Sequence, residues 1–308
     1  HPSRNMNEYA LRNRIGAYSK VARAPFLTLP VTLVLLGSAT AWVADGFDLL
    51  AASLAFVGLL SLHVSINARN EYRDYQSGVD FETEPTPFSG GSKTLPEGDI
   101  EPIAAKRLAT ATAGLGAIIG GYFIIDVGLV LVPITILGAV SVLFYTSHLT
   151  RFGLGELFAG LGLGGLAVLG TGVVQVGSIT PAMVVGSVPP TLLTFNLLLL
   201  NEFPDQEADR RGDRRNLIHR LGRSAAAKVY VGAGVGVSLS VGGGWVIGLF
   251  PVWALLGVLP SLLLARPVMW ALGAPGNSLP LDAQRDNVLW ILGTNSLLAA
   301  GLVLPGFL

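Results

Sequence analysis

Long runs of Leu, Val, Ala and Gly with few or no charges alternate with short polar links along this chain. Runs of about 18 or more such residues read as membrane spans. Nine are expected, at roughly 23–44, 48–68, 102–123, 127–147, 154–174, 180–200, 224–247, 250–271 and 288–307. At about 1.5 Å per residue each can cross about 30 Å of hydrocarbon. Gly160, Gly162, Gly164, Gly165, Pro189 and Pro190 lie inside these runs. They would weaken a soluble helix, but in a bilayer they permit close packing and kinks. The expected fold class is all-α: a polytopic membrane protein of nine transmembrane helices, one domain over 1–308, with no separate soluble domain.

The basic residues fix an expected orientation. Arg4, Arg12, Arg14, Lys20 and Arg23 precede or open the first span. Arg69, Arg73, Lys93, Lys106 and Arg107 lie between the second and third, and Arg151 between the fourth and fifth. Arg210, Arg211, Arg214, Arg215, Arg220, Arg223 and Lys228 lie between the sixth and seventh or just inside the seventh, and Arg266 and Arg285 between the eighth and ninth. With nine spans, all 20 basic residues fall on the side of the N-terminus. The opposite links carry only Asp45, Asp48 and Asp126. The positive-inside rule then places the N-terminus in the cytoplasm and the C-terminus outside, in the cell membrane.

Composition agrees. Only 13% of the residues are charged and the mean hydropathy is +0.59, against about a quarter charged in a soluble domain. With no cysteine, disulfides, thiolate metal sites and cysteine nucleophiles are excluded. The first apolar run begins only after about twenty polar residues, which does not fit a cleavable signal peptide. The opening HPSRN precedes Met6. Residues 1–5 are therefore expected to be a foreign remnant, with Met6 the natural start. No nucleic-acid partner is expected.

Two acidic strings carry the chemistry: NARNEYRDYQSGVD at Asn67–Asp80 and NEFPDQEAD at Asn201–Asp209. Each comes after an apolar run, at the second and sixth spans, which hints at a weak internal duplication of spans 1–4 in spans 5–8. On a helix continuing from the sixth span, Asn201, Asp205 and Asp209 share one face, with Glu202 and Glu207 pointing elsewhere. Pro204 is expected to kink or loosen that helix. Asn70 and Asp74 repeat the spacing, and Asp80, past Gly78, returns from a turn. Carboxylate and amide oxygens are hard ligands that suit Mg²⁺ shared with phosphate oxygens, and the lack of nearby His or Cys argues against zinc. Clustered acids in a partly dry site also repel, so a divalent cation is needed to hold them. The alternative for either string alone is a solvated helix end.

Arg73, Lys93, Arg151, Arg210, Arg211, Arg214 and Arg215 lie beside these acids. Two roles fit them: setting orientation, or neutralising a diphosphate beside the metal. SGGSKTLPEG at Ser89–Gly98 fits a flexible lid over phosphate.

At these strings the sequence closely resembles the UbiA superfamily of intramembrane prenyltransferases, and the resemblance spans essentially the whole chain. The first string is similar to the N-x-x-N-D-Y-x-D-x-x-x-G-x-D form of the menaquinone branch. Asn67, Asn70, Asp74, Gly78 and Asp80 match it, and Glu71 stands where that form often has Asp. The second string, its basic continuation and RLG resemble the family's second motif. FYT at Phe144–Thr146 and VQVGSIT at Val174–Thr180 resemble the same branch.

The resemblance implies a nine-helix bundle and two Mg²⁺ ions bridging an isoprenyl diphosphate. Asn70, Asp74 and Asp80 would bind from one side and Asn201, Asp205 and Asp209 from the other. Lys93, Arg151 and Arg215 are the candidates for direct phosphate contacts. The prenyl group would pass to an aromatic acceptor of the dihydroxynaphthoate type. Hydroxybenzoate, homogentisate or a glycerol-phosphate lipid remain alternatives. Asn67 and Arg73 are further candidates for substrate contact. Tyr72, Phe144 and Tyr145 fit carbocation stabilisation through their ring faces, or interfacial anchoring and core packing. Glu156 fits either a helix N-terminal charge or a group that orients or deprotonates the acceptor. Asn196, polar inside the sixth span, is expected to face the bundle interior and line the pocket.

Of the four histidines, none pairs at metal spacing, and His63 is expected to be a packed polar group. A transporter would also use broken helices and buried polar groups. It would place them near the midplane, whereas these acids gather at one face.

Overall fold

A computed structural model describes residues 13–82, 84–88, 91–144, 152–211 and 215–308. The described residues form helices and connecting turns, with no strand among them. The major helices are α1 (Thr28–Val43), α2 (Leu49–Ser77), α3 (Pro102–Val127) and α4 (Leu131–Phe144). They continue with α5 (Gly155–Val176), α6 (Val188–Arg211), α7 (Arg223–Val246), α8 (Val252–Gly273) and α9 (Leu281–Val303). Eight segments among the described residues are long and apolar enough to cross a membrane, and α4 is a shorter apolar helix. α4 runs up to residues 145–151, which lie outside the described residues.

The expected and observed spans differ mainly at their ends. α2 stays helical to Ser77, so the first acidic string leaves the apolar layer as a continuous helix. α9 begins at Leu281, a turn or two before its apolar run, because Gln284, Asp286 and Asn287 in its first turns are themselves buried. The sixth span is divided: a short helix, Pro181–Gly186, precedes α6. α8 is 3₁₀-helical from Val252 to Leu264, with Pro260 inside.

The helices are apolar on most sides because one side meets neighbours and the other meets lipid. Ile118, Ile125, Leu239 and Leu262 are all exposed, an arrangement that suits hydrocarbon rather than water. The main core gathers residues of α1, α5, α6, α7, α8 and α9, among them Leu33, Leu36, Val168, Leu193, Tyr230, Trp290 and Leu298. A second core joins α2 to α3, α4 and α5 through Ala51, Ala55, Phe123, Leu131 and Val173.

Polar bonds cross between helices inside the bundle. Asn295 Nδ2 donates to Thr32 Oγ1 at 3.3 Å, Tyr230 Oη to Asn287 Oδ1 at 2.8 Å, and Ser65 Oγ to the Ala109 carbonyl at 2.7 Å. In an apolar setting each such bond holds a helix pair in register, with strengths of about 0.6–1.7 kcal/mol in other membrane proteins.

The glycines of α5 bring it against α6. α5 carries a wide π-type turn at Leu161–Gly165. A Cβ on Gly160 would sit 2.6 Å from the Thr191 carbonyl oxygen, and Cβ atoms on Gly164 and Gly165 would meet Pro190 and Thr191. That seam sets where the second acidic string emerges. Gly160→Ala should therefore destabilise the fold by about 1–3 kcal/mol through overpacking. Gly121→Ala, at a position with nothing within 4 Å, should be close to neutral. Thermal unfolding of the two variants in detergent checks the difference.

Candidate active site

Both acidic strings reach one cavity. It holds about 170 Å³, and Arg23, Thr28, His63, Asn67, Asn70, Thr194 and Asn201 are among its lining residues. Asn67 and Asn70 come from α2 and Asn201 from α6, so residues far apart in the chain share one space. A larger apolar cavity of about 370 Å³ lies among α2, α3, α4 and α5, and His63 and Leu163 line both.

The first string is positioned by helix geometry and then by a turn. Asp74 lies one turn beyond Asn70 and is largely buried, because i and i+4 share a face. α2 ends at Gly78 with φ 79°, a left-handed conformation that glycine adopts at little cost. The reversal leads into the short helix Val79–Glu82, which returns Asp80 to the interior at 1% exposure. Lys93 reaches the same corner from the loop after it, its Nζ donating to the Asp80 carbonyl.

Glu71 holds this corner together. Fully buried, its Oε1 accepts from Arg23 Nε at 3.0 Å and from the Ser92 N–H at 3.0 Å, and its Oε2 accepts from Ser92 Oγ at 2.8 Å. Gly91, at φ +75°, lies so close that a Cβ there would sit 2.6 Å from Asp80 Oδ1. The residue that departs from the usual first-string pattern thus binds the N-terminal segment and the loop carrying Lys93 to α2.

Crowding of negative charge leaves its mark on Asp80. Burial first, then the neighbouring Glu71 and Asp74 charges, push its carboxyl up to about 7, against the opposing pull of Lys93 and Arg23. Its Oδ2 is buried without a hydrogen-bond partner. On α6, Asn201 Oδ1 is also buried and unpartnered. These two oxygens, of the hard type, are what a divalent cation would satisfy. Among the described residues no three carboxylate or histidine side chains converge closely enough to hold an ion by themselves. Amide oxygens and a substrate's phosphate oxygens would have to complete the coordination.

The second string is ordered by the chain beyond it. α6 runs through Pro204 to Arg211, so Asn201, Asp205 and Asp209 do share a face. Asn216 Nδ2 donates to Asp209 Oδ2 at 3.3 Å, and its Oδ1 accepts from the His219 N–H, capping the short helix Leu217–Leu221. Glu156, fully buried in the first turn of α5, accepts from the Leu217 N–H at 2.6 Å. Its Oε2 is buried without a hydrogen-bond partner.

Other expected residues fall elsewhere. Asn196 does not line either cavity. It is fully buried and donates through Nδ2 to the Tyr230 carbonyl at 2.9 Å, because an amide inside the bundle finds a partner helix before it finds a pocket. Tyr72 packs towards α3, with Lys106 Nζ 5.8 Å from its ring centroid and Gln76 donating to its hydroxyl. Arg73 is half-buried on α2, and Arg215 is exposed, with its carbonyl near Gly153. Tyr145 and Arg151 lie outside the described residues, as do Ser89 and Gly90 of the glycine-containing loop.

The structure adds Arg23, Glu71, Ser92, His63, Thr194 and Asn216 to the site's surroundings. In the sequence Arg23 is legible only as one of many orienting charges. Asn216, a capping residue type seven positions past Asp209, carries the one local signal.

The chain is similar in sequence and fold to known proteins. The model of the UbiA prenyltransferase family matches residues 29–278. The 1,4-dihydroxy-2-naphthoate octaprenyltransferase of Bacillus subtilis is 26% identical over 268 residues, 85% of this chain and 83% of the relative. The protein of that name from Escherichia coli is 24% identical over 270 residues, 84% of this chain and 86% of the relative. Among solved structures, an apo UbiA homologue from Aeropyrum pernix superposes with a TM-score of 0.68 at 17% identity, covering 90% of this chain and 98% of the other. A UbiA homologue from Archaeoglobus fulgidus bound to GPP and Mg²⁺ superposes with a TM-score of 0.62 at 13% identity, covering 94% and 98%. The helix order, the paired acidic strings at the ends of α2 and α6 and the family match over 29–278 lead to one conclusion: this chain belongs to the UbiA prenyltransferase family and is a multi-pass intramembrane prenyltransferase.

Proposed function

We propose that the chain transfers a polyprenyl group from an isoprenyl diphosphate to an aromatic acceptor, 1,4-dihydroxy-2-naphthoate, with Mg²⁺ and at the cytoplasmic face. The observation that carries this reading is the shared cavity, where Asn70 of the first string and Asn201 of the second meet beside an apolar space. The acceptor rests on the names of the Bacillus subtilis and Escherichia coli relatives. The placement at the cytoplasmic face rests on the segregation of all 20 basic residues to one side.

In this reading Asn70, Asp74 and Asp80 would hold Mg²⁺ from one side and Asn201, Asp205 and Asp209 from the other. Bound there, Mg²⁺ supplies positive charge against the negative charge that develops on the leaving diphosphate. Arg23 and Lys93 add cationic charge at the first string, and Arg73, Arg151 and Arg215 are candidates to add more. The allylic carbon–oxygen bond breaks with its electron pair going to the diphosphate oxygen. A ring carbon of the acceptor supplies the pair for the new carbon–carbon bond, and the ring then loses a proton or its carboxyl group as CO₂. The apolar walls keep water from the electron-deficient carbon.

The test is prenyl transfer by the purified protein from radiolabelled geranylgeranyl diphosphate, with and without Mg²⁺. The acceptor panel is dihydroxynaphthoate, hydroxybenzoate, homogentisate and geranylgeranylglyceryl phosphate. A Mg²⁺-dependent product with dihydroxynaphthoate is expected, and a product with another acceptor alone refutes the assignment. Asp74→Ala and Asp205→Ala should each lower turnover by about 100-fold or more while the protein stays folded in detergent. Full activity in either removes that residue from the metal site.

Asp80 gives the site a pH dependence. Its carboxyl is raised from the ordinary 3.8 to about 7. Without a cation it therefore contributes stability at low pH that is lost as pH rises through about 7. A cation favours the ionised form and reverses that loss. The rise in thermal midpoint on adding Mg²⁺ should therefore be larger at pH 8 than at pH 6. An equal or smaller rise at pH 8 contradicts the role given to Asp80.

A further inference from the structure

His63 sits one helical turn inside Asn67 on α2, about 6 Å deeper at 1.5 Å per residue. It is 8% exposed and lines both the cavity of the two strings and the apolar cavity among α2 to α5. Its Nδ1 lies 2.9 Å from the Leu59 carbonyl oxygen. A carbonyl can only accept, so Nδ1 carries the hydrogen, and the neutral ring presents a lone pair at Nε2. That Nε2 is buried without a partner. A buried acceptor left unmade is costly, and one kept at the junction of two cavities points to a ligand that completes it.

The chemistry of the two substrates decides which one. An ionised diphosphate offers only acceptor oxygens, and a polyprenyl chain offers no polar hydrogen. Neither can donate to Nε2. A hydroxylated aromatic ring can. We propose, on the basis of the prenyl-transfer reading above, that His63 is the acceptor-recognition residue. Its Nε2 receives a hydrogen bond from a ring hydroxyl and so sets the ring between the diphosphate site and the apolar cavity. Partial withdrawal of the hydroxyl proton also pushes electron density into the ring, where the neighbouring carbon must attack. The Leu59 bond fixes the tautomer, so the residue is poised before the acceptor arrives.

The experiment measures steady-state kinetics of the full chain with geranylgeranyl diphosphate and two acceptors: dihydroxynaphthoate and its hydroxyl methyl ether. Wild type should prefer the free hydroxyl. His63→Phe keeps a flat ring without the lone pair. It should lower kcat/KM for dihydroxynaphthoate by about 10- to 100-fold, the range expected for one lost buried hydrogen bond. It should leave the KM for the diphosphate within about threefold and abolish the preference over the methyl ether. His63→Gln, which can still accept, should recover most of that preference, and it serves alone if the Phe variant fails to fold.

A structural role for His63 would lower activity towards both acceptors alike, and that result overturns the proposal. An unchanged preference in folded His63→Phe, or a loss that falls on the diphosphate KM, overturns it too. Failure of the prenyl-transfer reading is a separate result. In that case wild type gives no product with any acceptor, and Mg²⁺ with geranylgeranyl diphosphate produces no thermal shift.

Discussion

Glu71, Asp74 and Asp80 withdraw three carboxylates from water into one corner at the end of α2, and like charges so placed repel strongly. Much of the local structure answers that repulsion. Arg23 folds back from the N-terminal segment to pair with Glu71, and Ser92 brings two donors to the same carboxylate. Lys93 is drawn in beside Asp80. What remains unanswered is the Asp80 carboxyl, held near neutrality with one oxygen unpartnered. In the proposed reading that carboxyl, raised first by burial and then by its acidic neighbours, is where a bound cation would act.

The opposite wall is built by different means, from the chain that leaves it. Asn216 reaches back to Asp209, Glu156 anchors Leu217, and His219 Nε2 meets the Gln206 carbonyl at 2.9 Å. Arg223 then ties the start of α7 to the Phe203 carbonyl and to Gln206 Oε1. α6 itself is fixed in depth by the glycine seam with α5 and in rotation by the bond from Asn196 to α7. The two strings therefore look alike in sequence but are presented by unlike supports, one a loop clamp and the other a helix-cap chain.

The spans and both strings are legible in the sequence because their signals are local: sustained hydropathy, and polar residues four apart on a helix. The start of α9 is not, because Gln284, Asp286 and Asn287 look like a solvated link and are in fact buried. Asp286 there meets Arg266 across the α8–α9 pair at 3.3 Å. The role of Glu71 is also hidden. Its partners stand 48 and 21 positions away, and no periodicity reports a contact at that separation. Asn196 carries a correct signal, a polar group turned inwards, but nothing in the sequence says that a backbone carbonyl on α7 takes it. His63 reads in the sequence as a packed histidine. The further reading proposed for it comes from the structure, where it lines two cavities and keeps a buried, unpartnered Nε2.

The proposed function places one diphosphate site across the α2–α6 gap, between the two strings. An experimental structure with Mn²⁺ and a non-reactive thio analogue of geranylgeranyl diphosphate tests it most directly, because manganese can be located by its anomalous scattering. Manganese is expected between the Asn70, Asp74 and Asp80 oxygens and those of Asn201, Asp205 and Asp209, with the diphosphate beside it. Manganese bound to one string alone, or a diphosphate seated away from both, would contradict it.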